Sequence, residues 1–156
     1  MNLFVTVFYD WSRAVAGYFT WAAPLAVRLV VGIVFAGTGW TKLQNLPLMT
    51  KNFAAMGIPA PELLTPFVSG VEFVGGLLLL FGLLTRFAAV PLMIVMIVAI
   101  IAAKASDIDG LETLLGFEEV SYFVMFAWLA IAGPGPVSLD RLVLKASGRN
   151  PAAHGA

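Results

Sequence analysis

The chain has 156 residues, enough for one domain; 60% are hydrophobic, 12% are charged, and the formal net charge is zero. Soluble domains average roughly half apolar and about a quarter charged residues, so this composition indicates a membrane protein. The absence of cysteine excludes disulfides, thiol redox chemistry and cysteine ligands for zinc or iron–sulfur clusters, and the neutral charge gives no basic surface for nucleic acid. The only histidine, His154, lies in a polar tail. We therefore expect no metal site, no nucleic-acid partner and no cofactor held covalently or by Cys or His.

The N-terminal segment, residues 1–21, is predicted to be an amphipathic helix in the membrane interface. Its apolar residues recur at helical spacing, namely Phe4, Val7, Trp11, Val15 and Tyr18. Asp10 and Arg13 lie off this stripe. A cleaved signal peptide would place basic residues before its apolar core, whereas the first basic residue here is Arg13. A fifth membrane span is the alternative, and the two charges in the middle of the segment disfavour it.

Three long apolar runs predict membrane-crossing helices at about residues 24–41, 63–85 and 87–103. A helix needs about 20 apolar residues, within a range of ~17–25, to cross the hydrocarbon core. A shorter fourth run ends at residue 133 and predicts a span over about 114–133 if it extends backward. Lipid does not hydrogen-bond the backbone, so such runs form helices. A soluble bundle of buried helices is the alternative, and three consecutive runs of this length disfavour it.

These runs together predict an all-α fold, an integral membrane four-helix bundle over residues 22–143 followed by a polar tail over 144–156. The loop between the first two spans is predicted to form a short helix on the outer face. Lys and Arg residues outside the spans are more numerous on the side that holds the N-terminus, the 85–86 turn and the tail. Because such residues accumulate in cytoplasmic segments, both termini are predicted to be cytoplasmic.

The first two spans each have one face that combines charges with glycines. This face is formed by Arg28, Gly32, Phe35, Gly39 and Lys42 in the first span and by Glu72, Gly75, Leu79, Gly82 and Arg86 in the second. Glycine lets helix backbones approach closely in lipid, and charges avoid lipid by facing the bundle interior. We therefore predict that the two spans pack antiparallel along these faces.

Glu72 is the main candidate for function, because an acid within a membrane span is a functional candidate by default. Its height in the membrane favours Arg28 as a partner, whereas the lean of helical side chains toward their own N-terminus favours Lys42. Both pairings are open at this point, as is a water-bridged network that includes both. Glu72 is interpreted either as part of a polar pocket for a proton or a ligand headgroup, or as a hydrogen-bonded tether between two helices.

The predicted polar network or ligand pocket comprises Glu72, Arg28, Lys42, Arg86 and Glu119. The last of these has a simpler interpretation as well. Glu118 and Glu119 begin the fourth span, where carboxylates interact favourably with the helix dipole, and Glu119 joins the network only if it points toward Lys42. Arg28 and Arg86 have a simpler interpretation too, since cationic side chains near the interface extend toward water. Lys104 is interpreted only in this way, as an interfacial anchor.

Four segments in register resemble the DoxX family, namely RLVVGIVFAGTGWTKL, the loop MGIPAPEL, the span EFVGGLLLLFGLLTRFAA and the ending GPGPVSLDRLV. The resemblance covers about residues 27–143 and implies a four-helix protein of a bacterial or archaeal cytoplasmic membrane. The matching positions are Arg28, Gly32, Lys42, Glu72, Gly76, Gly82, Arg86, Gly133, Ser138 and Asp140. Gly76 neighbours the glycine face of the second span and does not lie on it. Many relatives carry a histidine near the end of the third helix, where this chain has Lys104.

The resemblance also implies a function. Some members of the family are subunits of thiosulfate:quinone oxidoreductase, and others associate with membrane oxidoreductase complexes. A membrane subunit or docking partner of a quinone-linked redox system is therefore expected, with the bilayer, a redox enzyme and a second copy of the chain as candidate partners and quinone or lipid as the candidate ligand. No self-contained redox centre is expected. A non-catalytic scaffold or assembly factor is the alternative, followed by a small transporter or proton relay, which the low number of spans disfavours.

Overall fold

The computed structural model describes residues 3–148, with side chains from residue 6 onward. Residues 3–148 form helices and turns without a strand. The helices are α1 Leu3–Tyr18, α2 Ala22–Gln44, α3 Leu46–Ala55, α4 Pro61–Phe81, α5 Thr85–Ala99, α6 Leu111–Gly116, α7 Glu118–Ala132 and α8 Leu139–Ala146. After α5 the chain continues through a π-helical turn, Ile100–Lys104, and a 3₁₀ turn, Ala105–Asp107. The Phe4 side chain, Arg149 and His154 lie outside the described parts.

Three helices are long and apolar enough to cross a membrane, over Ala22–Gln44, Pro61–Phe81 and Thr85–Asp107. They correspond to the three long runs of the sequence, and the all-helical prediction is confirmed for the described residues. The first of these three helices, α2, is longer than predicted, because it continues three residues beyond residue 41 to Gln44. The predicted loop helix after it is present as α3, which packs against α4.

The connection between α4 and α5 lies earlier than the sequence predicts. α4 ends at Phe81 and not at residue 85, because Gly82 adopts the left-handed conformation, with φ at 66°. The N–H of Leu83 donates to the Leu78 carbonyl at 2.9 Å, and the N–H of Gly82 donates to the Leu79 carbonyl at 3.1 Å. This pair of hydrogen bonds is the Schellman motif that commonly closes a helix at glycine. The turn therefore comprises Gly82–Leu84.

The predicted backward extension of the fourth apolar run is wrong. The chain forms two separate helices there, because Phe117 between α6 and α7 has an extended backbone, with φ at −73° and ψ at 134°. α7 begins with Glu118 and Glu119, whose carboxylates favour a helix start. α7 therefore has 15 residues, about 22 Å at ~1.5 Å per residue, and is shorter than the three membrane-length helices.

The packing order of the helices places α4 between α2 and α5, and α7 against both α5 and α2. Their shared core consists of Val31, Phe35, Leu79, Ala88, Ala89, Leu92, Met96, Phe126 and Leu129. The Phe35 ring of α2 meets the rings of Phe126 and Tyr122 of α7 edge to face, with centroids 4.9 and 5.2 Å apart. Such pairs contribute about 0.5–1.5 kcal/mol beyond their buried area, so this cluster joins α2 to α7.

The outward faces of α2, α4, α5 and α7 are apolar as well. Large exposed side chains on these faces include Ile33, Phe67, Phe87, Ile94 and Ile131. A soluble monomer rarely exposes a continuous apolar surface of this extent, whereas lipid is its natural solvent. The arrangement is therefore that of a protein embedded in a bilayer.

Glycines set the close approach of α2 and α4. A Cβ added at Gly32 would lie 2.8 Å from the backbone of Leu80, and one at Gly39 would collide with the backbone of Phe73 in the same way. Gly76 of α4 faces the backbone of Ala36 equally closely. As residue numbers rise along α2 they fall along α4, so the predicted antiparallel packing is present.

Gly75 and Gly76 are both predicted to lie at helix contacts, but the predicted face of α4 is wrong about which of them meets α2. Gly75 faces Leu92 of α5, 3.1 Å from its side chain, and Gly76 is the glycine that faces α2. The reason is that α4 meets α2 along a row of residues spaced by four, from Glu72 through Gly76 to Leu80, whereas the predicted face follows a seven-residue repeat. Gly82 lies at the end of α4, where the Arg28 guanidinium occupies the space that a Cβ would need.

Candidate functional site

Glu72 pairs with Lys42. The ammonium Nζ of Lys42 lies 2.8 Å from Oε1 and 2.6 Å from Oε2 of Glu72, so it donates to both carboxylate oxygens. The Glu72 side chain is 3% exposed, while that of Lys42 is 30% exposed. Each side chain leans toward the N-terminus of its own helix, and in an antiparallel pair these directions converge. The pairing that side-chain direction favoured is correct, and the pairing with Arg28 is wrong.

The register of α2 against α4 explains why Arg28 is too far away. Gly39 lies opposite Phe73, which places Glu72 near the C-terminal end of α2. Arg28 is 14 residues before Lys42, a distance of about 21 Å along the helix at ~1.5 Å per residue. The estimate of height failed because α2 ends at Gln44 and the first turns of α4 extend beyond it, where α3 packs.

Arg28 instead binds backbone carbonyls at the opposite end of α2. It is 2% exposed, and its Nε donates to the carbonyl of Leu79 at 3.1 Å. Its Nη1 donates to the carbonyls of Pro134 and Val137, the latter at 2.8 Å. These acceptors belong to the last turn of α4 and to the loop after α7. Arg28 therefore joins three parts of the chain as a structural side chain, and the prediction that it extends toward water is wrong.

Asp140 holds the same end of the molecule together. Its Oδ1 accepts from the backbone N–H of Leu84 at 2.8 Å, and its Oδ2 accepts from that of Thr85 at 3.2 Å. These N–H groups begin α5 and have no acceptor within the helix, so Asp140 caps α5 from a distant part of the sequence. Ser138 caps its own helix, α8, by accepting from the N–H of Arg141 at 3.3 Å. Ser138 and Asp140 therefore cap two different helices.

The last two predicted site residues lie elsewhere. Glu119 accepts from Lys104 at 2.7 Å, and Lys104 also lies over the ring of Phe117 at 4.9 Å, so Glu119 meets Lys104 and not Lys42. Arg86 is exposed in the first turn of α5, beside Gly133, where an added Cβ would lie 3.1 Å from its Nε. The hydrogen bonds of Lys42, Lys104 and Arg28 go to three different sets of atoms. The predicted five-residue network is therefore wrong. Lys42–Glu72 and Lys104–Glu119 are two separate ion pairs at one end of the bundle, and Arg28 binds backbone carbonyls at the other end.

A groove runs along α2 beside Lys42 and has a volume of about 770 Å³. Its lining comprises Ile33, Val34, Gly37, Thr38, Thr41, Lys42, Asn45, Leu48 and Met49. The Lys42 end has the polar side chains of Thr41 and Asn45 beside the apolar Leu48 and Met49 of α3, and the Ile33 end is apolar. At the centre a Cβ added to Gly37 would meet nothing within 4 Å. The groove, which we call the Lys42 groove, has the polarity that an amphiphile with a long apolar tail requires.

The Lys42 groove lies within the part of the chain that known proteins share. The DoxX family profile matches residues 23–105, more than half of the chain. The chain belongs to the DoxX family. Its residues are 32% identical over 121 positions to "Inner membrane protein YqjF" of Escherichia coli strain K12, a match that covers 78% of this chain and 92% of that protein.

Two other relatives are each matched over the same share of this chain, 78%. The "Uncharacterized membrane protein Rv3486" of Mycobacterium tuberculosis is 36% identical over 132 residues, with 81% of its length covered. The "Putative oxidoreductase CatD" of Bacillus subtilis is 29% identical over 123 residues, with 87% covered. No solved structure matches the chain. The relatives' names and the three long apolar helices agree that this DoxX protein is a membrane protein.

The DoxX match includes Arg28, Lys42, Glu72 and Arg86 and ends before Glu119 and Asp140. The ligand pocket predicted from the sequence shares only Lys42 with the lining of the groove, and the capping role of Asp140 was not predicted. A signal for the groove was present, because Thr38, Thr41 and Asn45 are spaced three and four residues apart beside Lys42. No local signal pairs Asp140 with Leu84. In residues 3–148 there is no group of three or more His, Cys, Asp or Glu side chains that could hold a metal ion.

Proposed function

We propose that this DoxX protein is the membrane-embedded subunit of a quinone-linked redox system, and that the Lys42 groove holds the quinone headgroup. The observation that carries the proposal is the position of the Lys42 ammonium at the polar end of an apolar groove. An ammonium has three N–H donors, and Glu72 accepts from two of them. One donor is left for a ligand carbonyl, and 30% exposure gives the ligand access to it.

The remaining groove residues fit the shape of a quinone. A quinone has a polar ring with two carbonyl oxygens and a long apolar tail. The amide of Asn45 uses one N–H on the carbonyl of Thr41 at 3.0 Å and has a second N–H for a ligand oxygen. Ile33 and Val34 line the apolar continuation along α2. A second groove of about 520 Å³ between α4 and α5 is lined by apolar side chains and glycines without a charge, so it offers no comparable headgroup contact.

The role of this chain is to bind and orient, because a bound quinone would supply the electron-carrying group. Glu72 fixes Lys42 Nζ at the groove and balances its charge in a buried setting, where an unpaired charge is costly. Electrons would have to come from a partner chain that carries a flavin or metal centre. The name of the relative CatD, which contains the word oxidoreductase, supports such an association.

The same proposal includes a four-helix arrangement in the bilayer. α7 packs against α5 and α2, and its outward side chains Val124 and Ile131 are exposed and apolar, which supports contact with lipid. Arg13, Arg86, Arg141 and Lys145 belong to segments that precede α2, begin α5 or follow α7. Because positive residues mark the cytoplasmic side, both termini are proposed to face the cytoplasm of a bacterial or archaeal cell.

A scaffold or assembly role is the second candidate. The ion pair favours it, because Lys42 contacts both carboxylate oxygens of Glu72 across two helices. Both oxygens of Glu72 are engaged by Lys42, so the pair ties α2 to α4 whether or not a ligand binds. The two functions differ in one respect. The scaffold requires the ion pair alone, while the redox subunit requires the open groove as well.

Quinone binding by the purified full chain in nanodiscs tests the proposal, with a short-chain benzoquinone and a short-chain naphthoquinone as probes. Lys42→Gln removes the donor and should weaken binding at least roughly tenfold, since a hydrogen bond from a charged donor contributes about 1.5–3 kcal/mol. Lys51→Gln is the matched control, because Lys51 is an exposed lysine on α3 outside the groove lining. Equal binding by the two variants, or no binding by the unmodified chain, would refute the proposed function.

A further inference from the structure

α8 has an apolar face that points away from the rest of the described chain. Leu139, Leu142 and Val143 are 39%, 60% and 57% exposed. They are spaced by three and four residues and so lie on one side of the helix. The short helix is therefore amphipathic, with its apolar side outward.

The other two sides of α8 have different surroundings. At about 100° per residue, Asp140 and Leu144 form a second side, and Arg141 and Lys145 form a third. Asp140 and Leu144 are half-buried against the protein. The helix thus divides into a protein-facing side, an apolar outward side and a cationic side.

Hydrogen bonds fix α8 at the level where α4 ends and α5 begins. The N–H of Asp140 donates to the carbonyl of Gly82 at 3.0 Å, directly after α4. The Asp140 carboxylate accepts from Leu84 and Thr85, where α5 begins. Since α4 and α5 are candidate membrane spans, the end that they share lies at the boundary between hydrocarbon and headgroups.

The charged side chains of α8 determine whether it binds an anionic or a cationic partner. Asp140 is the only acid of α8, and both its oxygens already accept backbone N–H groups. Arg141 and Lys145 are thus the charges that α8 offers to a ligand. Arg141 is half-buried with its Nε shielded against the protein, so a ligand reaches the guanidinium from its outer nitrogens. Phosphate oxygens are the acceptors that arginine binds best.

We propose that α8 lies in the membrane interface and binds anionic phospholipid, with its apolar side among the upper acyl chains and Arg141 and Lys145 on the phosphate. Amphipathic helices with cationic side chains bind membrane surfaces in this way. The proposal does not depend on the quinone site, which lies at the other end of α2. It makes α8 a lipid-binding element that is attached to the bundle through Asp140.

The depth of α8 in a bilayer is the first test. The chain has no cysteine, so Leu142→Cys and Lys145→Cys each give one site for a nitroxide label on the full chain in nanodiscs. We expect the label at 142 to be reached by oxygen, which partitions into lipid, more readily than by a water-soluble nickel chelate, and the label at 145 to show the reverse. A label at 142 that the nickel chelate reaches freely, or that neither reagent reaches because a second copy or another protein covers it, would overturn the proposal.

The preference for anionic lipid is the second test. Native mass spectrometry counts the phosphatidylglycerol and phosphatidylcholine that the full chain retains from mixed micelles. We expect the Arg141→Gln, Lys145→Gln double variant to lose affinity for phosphatidylglycerol by roughly fivefold for each cation removed, with phosphatidylcholine unchanged. Lys51→Gln is the control and should retain both. If the double variant fails to fold, Lys145→Gln alone decides by the same comparison, since that side chain is exposed. Retention of phosphatidylglycerol equal to the control contradicts the proposal.

Discussion

Glu72 gives both of its carboxylate oxygens to the ammonium of Lys42, across the antiparallel contact of α2 and α4. One partner is buried and the other is partly exposed at a groove. The pair is therefore compatible with both interpretations of Glu72, a tether between helices and part of a ligand pocket. It ties two helices together, and it fixes a charged donor at a surface that a ligand can reach.

Replacement of Glu72 by Gln should destabilise the protein because it leaves Lys42 without a counter-charge. We expect a loss of about 2–3 kcal/mol, below the ~3–5 kcal/mol typical of a fully buried pair, because Lys42 is partly exposed. Thermal unfolding in detergent, followed by intrinsic tryptophan fluorescence, measures the change. Glu62→Gln is the control, since Glu62 is an exposed acid on the same helix. A Glu72→Gln protein as stable as this control would show that the ion pair contributes nothing.

The double variant Lys42→Met, Glu72→Leu separates the ion pair from the packing around it. Replacing both partners by apolar residues leaves no uncompensated charge, so we expect stability near that of the unmodified protein. Quinone binding should nevertheless be lost, because the donor at the groove is gone. A double variant as unstable as Glu72→Gln would show that the charges themselves are needed for the α2–α4 contact.

Gly76→Ala should weaken the contact between α2 and α4. The added Cβ would lie against the backbone of Ala36, which has no flexible end that can move aside, and overpacking of this kind costs about 1–3 kcal/mol. Gly70→Ala is the matched control on the same helix, since nothing lies within 4 Å of its Cβ position. Alanine is a better helix former than glycine by about 1 kcal/mol, so the control should be slightly more stable than the unmodified protein. Equal thermal stability of the two variants would contradict the close approach at Gly76.

The sequence predicted the features that depend on local pattern. Apolar run length identified three membrane helices, and the lean of helical side chains identified Lys42 as one of two candidate partners for Glu72. Register was not predictable to the same degree, because it depends on where each helix ends. The Schellman turn at Gly82 and the extension of α2 to Gln44 moved both ends by three or four residues. The offset that separates Arg28 from Glu72 is at the other end of α4, whose first turns extend beyond the end of α2 at Gln44 and so place Glu72 near the C-terminal end of α2.

Contacts between distant segments were the other features that local pattern did not determine. The carbonyls of Pro134 and Val137 receive Arg28 because the loop after α7 folds back over the end of α4. Gly135 permits this fold, with φ at 75° and with Pro24 in the space that a Cβ would occupy. Motif resemblance included Arg28 and Asp140 as matching positions, but it gave no indication that they act at the same end of the bundle.

Asp140→Asn tests the cap that this loop provides for α5. An amide has only one oxygen acceptor, so one of the N–H groups of Leu84 and Thr85 would lose its partner. We expect destabilisation of about 1 kcal/mol, typical for loss of a helix cap, together with faster hydrogen exchange at Leu84 and Thr85. Asp109→Asn is the control, because Asp109 is exposed in the loop before α6. Unchanged exchange at both amides in Asp140→Asn would rule out the cap.

Gly37→Leu separates the two proposed functions more sharply than any change to the ion pair. Gly37 is exposed on α2 and lines the Lys42 groove, and a Cβ there meets nothing within 4 Å, so a new side chain has room to enter the groove. Leucine favours the helix over glycine by up to about 1 kcal/mol, so thermal stability should stay the same or rise.

A redox subunit that binds quinone in the groove should lose binding at least roughly tenfold, because the headgroup or its tail is displaced. A scaffold that needs only the Lys42–Glu72 tether should function unchanged. Val30→Leu, which alters an exposed side chain on α2 outside the groove lining, is the control for a general change to the helix surface. Full quinone binding by a stable Gly37→Leu protein would place the ligand elsewhere and leave the tether as the remaining role of the ion pair.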